Sequence, residues 1–234
     1  MILAIHQLHY LPWLRYFHKI ASADVFVVLD NIQFNKNGWQ NRNKIKTDQG
    51  PLILTVPVIH QMGQLLCEVE IDNKQPWRRK HWGAISAHYR KAPFFKEHEP
   101  FLRGIYERQW QKLNDLNYEM LFYFLKALGT KTQVIKGSEM NLRGEATERL
   151  VNICKDLGAS AYLTGAFAAQ EYLEESLFSG AGIGLRLHEF EAPVYSQIYP
   201  EKEFIPELSI LDILFNCGPE SLSNLMNGKT RKIS

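Results

Sequence analysis

Residues 24–30 read Asp-Val-Phe-Val-Val-Leu-Asp, an unbroken apolar run between two acids. A strand with one wet face alternates apolar and polar residues. A run that is apolar at every position must be covered on both faces, which is the condition of a strand inside a parallel sheet. The residues before it supply the rest of the unit. Ile2-Leu3-Ala4-Ile5 has strand character, and His6-Gln7-Leu8-His9 is a polar turn. Pro12 stands where the first turn of a helix tolerates a residue without an N–H. Trp13, Phe17 and Ile20 then recur at i, i+4, i+7 and give that helix one apolar face. The opening of the chain therefore reads as a βαβ unit.

The segment Gln33–Lys46 carries Lys36, Arg42, Lys44 and Lys46 with Asn35, Asn37, Asn41 and Asn43 between them. It has neither period, so a loop is expected. Strand character returns at Leu52–Val58 and Cys67–Ile71. From Trp77 to Leu128 the pattern is helical, with Phe101, Ile105 and Trp110, then Leu116, Met120, Tyr123, Phe124 and Ala127 on apolar faces. Lys131–Ile135 reads as a strand. Glu145–Leu157 reads as a helix with Gly158 as its stop. Ala161–Leu163 is a short strand entering Thr164-Gly165, and Gly184–Phe190 is another. Ser209 and Asp212 have the spacing of a helix start. Strands alternating with helices predict an α/β fold, a largely parallel sheet covered by helices. No repeat or linker divides the chain, so one domain over 1–234 is expected, with a helical insertion at 77–128 left open.

The net charge of the 234 residues is only +2, so no global field draws the chain to nucleic acid, and no nucleic-acid partner is expected. The N-terminus lacks the pattern of a signal peptide, and no run approaches the roughly 18 apolar residues of a membrane span. A cytoplasmic location without a membrane span is expected. Cys67, Cys154 and Cys217 are scattered and lack CxxC spacing, which argues against a disulfide framework or zinc. Cys154 and Cys217 read as packing cysteines, and the tail 228–234 is expected to fray.

Ligands of open α/β sheets bind beyond the carboxyl ends of the strands. Two such ends are unusually polar here: His6-Gln7-Leu8-His9-Tyr10 and Asp30-Asn31-Ile32-Gln33. Adjacent parallel strands would set them side by side. Imidazoles there suit proton transfer near neutral pH or the holding of a phosphate, with Asp30 orienting a histidine or taking a sugar hydroxyl. Their bland alternative is a turn whose histidines donate to backbone carbonyls. The helix start near Pro12 adds free N–H groups that suit an anion. Within the basic segment, Trp39 offers a stacking face, Asn41 an amide, and Arg42 and Lys44 cations for the anionic part of a donor or acceptor. Its alternative is a solvated basic loop. Thr164 and Gly165 end a strand and are further ligand candidates. His81 and His88 read as packing residues. His6, His9 and Asp30 lack convincing metal-ligand spacing, so no metal is expected.

Several stretches together resemble the WbqC-like family of bacterial proteins. They are HQLHYLPWLRYFHKIASADVFVVLDNIQF at 6–34, NGWQNRNKIKT at 37–47, LTVPV at 54–58, ERLVNICKDLGASAYLTGAFAAQEYL at 148–173 and ELSILDILFNCG at 207–218. The chain departs from the family pattern at Leu8, where proline is usual, at Arg15, where glycine is usual, and at Asn31, where aspartate is common. The resemblance implies a part in surface-polysaccharide (O-antigen) synthesis and, as proposed for such proteins, transfer of glycine to an amino sugar. A looser likeness of arrangement links the opening βαβ unit to nucleotidyltransferase-like adenylating enzymes, although His9-Tyr10-Leu11-Pro12 lacks the glycine of their HxGH signature. The expectation is an aminoacyl or acyl transferase acting on an amino sugar or sugar nucleotide, with His6, His9 and Asp30 at its centre. Gln7, Tyr10, Asn31, Trp39, Asn41, Arg42, Lys44, Thr164 and Gly165 would line the substrate. The donor is unnamed, ATP or another activated species. The alternatives are a non-catalytic sugar-nucleotide binder or scaffold of the same pathway, and an adenylating enzyme.

Overall fold

The structure, a computed structural model, describes residues 1–166 and 173–227. Strand β1 (Ile2–Gln7) leads through the His6–His9 turn to helix α1 (Leu14–Ala21) and strand β2 (Val25–Leu29). The chain then leaves the sheet for a hairpin of β3 (Arg42–Thr47) and β4 (Gly50–Thr55), a short pair β5 (Val58–Ile59) and β6 (Glu70–Ile71), and helices α2 (Trp77–Tyr89), α3 (Phe95–Glu107) and α4 (Leu113–Leu128). It returns as β7 (Gln133–Lys136), crosses through α5 (Ala146–Asp156) to β8 (Ala161–Gly165), and reaches β9 (Gly184–His188) after α6 (Glu175–Gly180). Helices α7 (Ile210–Cys217) and α8 (Ser221–Met226) follow.

The main sheet has the order β7-β2-β1-β8-β9, and its neighbouring strands pair in parallel. Counted along the chain this is the doubly wound order 3-2-1-4-5. β1 and β8 flank the point where the winding reverses.

Both faces are covered, which explains the unbroken apolar run of β2. Phe26 and Val28 face a core with Phe17, Ile20, the α2–α4 helices and Ile210–Phe215 of α7. Val25 and Val27 face the other side, with Leu3, Ile5, Val151, Ile153, Cys154, Tyr162 and Phe178. The helical stretch 77–128 shares its core with β1 and β2, so it is built onto the sheet. Among the described residues no helix is long and apolar enough to cross a membrane.

The structure corrects several local expectations. The segment expected as a loop ends in a true strand, β3, paired from Arg42–Thr55 to Thr47–Gly50. Apart from Ile45, its buried positions are polar but satisfied, which hides the period. Asn43 donates to the Leu11 carbonyl at 2.7 Å, and the Lys46 ammonium donates to Gln197 and to the Glu203 carbonyl, each at 3.0 Å. The strand expected at 52–58 breaks into β4 and β5 at Val56-Pro57. The one expected at 67–71 is a 3₁₀ turn (Leu66–Glu68) followed by the short β6. Ser209 caps α7, accepting from the Leu211 N–H at 3.4 Å. Asp212, however, is spent on Tyr89 and Tyr195, at 2.8 and 2.7 Å. Cys154 is buried and Cys217 half-buried. The tail 228–234 lies outside the described residues.

Candidate functional site

β1 and β8 pair from Ile2–Ala161 to Ala4–Leu163 and then part, although β1 runs on to Gln7 and β8 to Gly165. The winding reversal is therefore also a crevice between separated strand ends, the position where doubly wound sheets take their ligands. The Lys19 ammonium reaches it from α1. Its Nζ donates to the carbonyl of Ile5, the first β1 residue beyond the paired stretch, at 2.9 Å, and lies 5.9 Å from the Tyr162 ring centre.

The histidine turn stands above this point. The His6 and His9 rings meet edge to face, 4.9 Å between centres. Trp13 lies 5.0 Å from His9, and Tyr16 lies 5.2 Å from His6. His6 is half-buried, its Nδ1 3.3 Å from the Gln7 carbonyl. His9 is 4% exposed, and its Nδ1 has no hydrogen-bond partner among the described residues. Burial, helped by the charge of Lys19, lowers the His6 pKa to about 3. Burial and then His6 push His9 well below the usual imidazole range. Both rings are therefore neutral at physiological pH.

The turn is held from below. Leu8, Tyr10 and Leu11 are sealed in the helical core. The Tyr10 hydroxyl lies 2.8 Å from His81 Nδ1 and 2.6 Å from the Tyr106 hydroxyl. Leu11 takes φ = +44°, a conformation that L residues adopt at a cost of about 1 kcal/mol or more. Its carbonyl is the one that receives the Asn43 amide of β3, so the hairpin pins the turn.

The basic segment joins the same place at two points. Trp39, 36% exposed, meets the edge of Trp13 at 5.6 Å, and the Arg42 guanidinium lies 5.6 Å from the Trp39 ring centre while donating to the Asn37 carbonyl. Gln40 donates to the Gln7 side chain at 3.1 Å. The remaining expected residues are spread more widely. Tyr10 points away from His6 and His9 into the helices, toward His81 and Tyr106. Asn41 is buried and donates to the Val56 carbonyl at 2.9 Å, serving the hairpin. Lys44 lies on β3, and its carbonyl accepts from Ser209 at 3.0 Å.

Asp30 is 2% exposed, and its two carboxylate oxygens accept from the N–H and hydroxyl of Ser138, each at 2.7 Å. Among the described residues no hydrogen bond links it to a histidine. It ties the end of β2 to the turn after β7 and does not orient an imidazole. Asn31 stands beside Gly137, its Oδ1 sealed and without a hydrogen-bond partner among the described residues. Thr164 is fully buried at the end of β8, and among the described residues nothing lies within 4 Å of where a Cβ on Gly165 would stand.

Sequence reasoning missed Trp13, Tyr16, His18, Lys19 and His188. Tyr16 and Lys19 stand at i, i+3 and share a helix face, a readable signal that the apolar series Trp13-Phe17-Ile20 masked. His18 Nδ1 lies 2.7 Å from His188 Nε2, a contact across 170 positions that no local pattern announces. Among the described residues no cluster of three or more His, Cys, Asp or Glu side chains suits a metal ion.

A model of the WbqC-like protein family matches residues 7–224. The chain belongs to that family. The uncharacterized protein Rv1507c of Mycobacterium tuberculosis is 36% identical to it over 222 residues, covering 93% of this chain and 94% of that protein. The WbqC-like match takes in Gln7 at the end of β1, the whole of α1, β8 and the helices that hold the turn, while Ile5 and His6 precede it.

Proposed function

We propose that this WbqC-like protein is a transferase that places an acyl or aminoacyl group on the amine of a sugar, the sugar being carried on a nucleotide, in the making of a surface polysaccharide. The observation that carries the reading is the pair of neutral imidazoles at the mouth of the β1–β8 crevice, walled by Trp13 and Trp39. Aromatic faces suit a sugar ring or a base, and the family's association with O-antigen enzymes supports the sugar. In the reaction the amine nitrogen attacks the activated carbonyl carbon. A C–N bond forms, and the bond from that carbon to the donor's leaving group breaks. An imidazole with a pKa of about 3 is a weak base. Its part is to accept a hydrogen bond from the amine and aim the nitrogen lone pair, while the proton ends on the departing group.

The test is an incubation of the purified chain with UDP-linked amino sugars and activated donors (acyl thioester, or glycine with ATP), read by mass spectrometry. The expected product is heavier than the acceptor by the transferred group. His6→Ala and His9→Asn should keep the circular dichroism spectrum and lower turnover by about tenfold or more. Unchanged turnover in both variants would remove the histidines from the reaction. A second reading, a non-catalytic binder of sugar nucleotides, is favoured by the weak basicity of the same two rings. Thermal stabilisation by the sugar nucleotide with no product from any donor would select it.

A further inference from the structure

We propose that the floor of the β1–β8 crevice is a phosphoryl-binding subsite in which Lys19, His6 and His188 receive the anion and His18 holds His188 in place. The proposal rests on the reading of this crevice as the ligand site, not on the reaction assigned to it.

Lys19 is 7% exposed, and the Ile5 carbonyl is its hydrogen-bond partner. Among the described residues no carboxylate lies within ion-pair distance of it. A buried ammonium is ordinarily paired, because leaving water without a counter-charge is costly. Here the cost appears as a pKa lowered to about 8 by burial.

The groups around it deepen the deficit of negative charge. His6 comes from β1, Arg15 and His18 from α1, and His188 from the end of β9. His18 and His188 are themselves buried. Their pKa values fall to about 4 and about 3, first through burial. Arg15 contributes to the fall at His18; His18, Lys19, Arg15 and His6 all contribute at His188. Four side chains from two elements, α1 and β1, thus present positive or potentially positive ends toward His188.

The nearby acids do not supply the missing charge. Glu207 is taken by Arg15 at 3.0 Å. Glu189 stands just past the end of β9 with its Oε2 sealed from solvent, and among the described residues no ion pair joins it to Lys19, His18 or His188. From β8 the group facing Lys19 is the Tyr162 ring. Among the described residues His18 Nε2, sealed from solvent, also has no hydrogen-bond partner.

The short His18–His188 contact needs a proton between the two rings, one nitrogen donating and the other accepting. An anion beside Lys19 would supply the counter-charge and raise the proton affinity of the imidazoles near it. Binding therefore takes up protons, and affinity falls as pH rises. The place at the winding reversal favours a phosphoryl group over a carboxylate.

Calorimetry on the full chain tests this, with sulfate as a tetrahedral probe that does not itself titrate near neutrality, UDP as a phosphoryl ligand and acetate as a carboxylate. Runs in buffers of different ionisation enthalpy give the number of protons exchanged. Sulfate and UDP should bind with uptake of about one proton, and affinity should fall about tenfold or more from pH 6 to pH 8. Acetate should bind about tenfold more weakly than sulfate. Lys19→Met, checked by circular dichroism, should lose sulfate affinity by a similar factor. If that variant does not fold, the proton uptake of the unaltered chain decides alone. Absence of sulfate binding, binding without proton exchange, equal acetate binding, or a folded Lys19→Met that binds as before would each overturn the subsite. A chain that binds sulfate with proton uptake but makes no transfer product keeps the subsite and loses the transferase reading; transfer without proton-linked binding does the reverse.

Discussion

At the scale of single residues, Lys19 is held where it weakens the fold. Its pKa is about 8 in the folded chain against an ordinary 10.5, so the folded state binds its proton less tightly than the unfolded state. The penalty is complete below about pH 8 and disappears as pH rises toward 10.5. Lys19→Met keeps the length of the side chain and removes the ammonium, at the loss of one hydrogen bond to the Ile5 carbonyl. The expected result at pH 7 is a gain of about 1–2 kcal/mol in urea unfolding, shrinking above pH 9. A loss of stability at pH 7 would mean that the carbonyl contact outweighs the desolvation. A group that lowers stability at the mouth of a crevice is the pattern of a residue kept for its ligand.

At the scale of elements, β3 shows both how the site is built and why part of it was illegible. The βαβ opening could be read because hydrophobic periods survive where an element buries apolar side chains. β3 instead buries Asn43, Lys46 and Thr47 beside a single apolar residue, Ile45; Asn43 and Lys46 are satisfied by partners far along the chain and Thr47 by the Gly50 carbonyl across the hairpin turn. A polar strand of this kind looks like a loop until its partners are known. The candidate site divides the same way. The pairing of His6 with His9 and the approach of Trp39 and Arg42 were visible from a strand end, a turn and a basic segment. The inward turn of Tyr10 and the capture of Asp30 by Ser138 were not, because His81, Tyr106 and Ser138 lie on distant segments.

The hairpin also provides a test at this scale. Asn43→Ala leaves the Leu11 carbonyl without its donor in a buried place. It should cost about 1–3 kcal/mol in urea unfolding and hasten hydrogen exchange in the His6–Pro12 turn. Exchange as slow as before would show that Tyr10 alone is enough to hold the turn.

At the scale of the whole molecule, the buried imidazoles set the response to acid. The folded pKa values are about 3 for His6 and His188 and about 4 for His18 and His81, all below the ordinary 6.5 and all led by burial. Above pH 6.5 these rings are neutral in both states, and stability does not depend on them. Below it the unfolded chain takes up protons that the folded chain refuses, until the folded values are reached. Stability should therefore fall from about pH 6.5 downward, by about 1.4 kcal/mol per pH unit for each such ring. Urea midpoints at pH 7, 6 and 5 measure it, and equal midpoints would contradict the burial of these rings.

The long excursion between β2 and β7 has a consequence for the order in which the chain assembles. These neighbours are separated by about a hundred residues, and the closure of so distant a contact is a slow event. As the chain emerges from the ribosome, the β2 edge stays bare while the hairpins and three helices are still being made. That edge is among the most apolar segments of the molecule, so self-association should compete with folding during synthesis. The helical layer that seats the histidine turn, packed on Phe26 and Val28, also serves as an early cover for that strand.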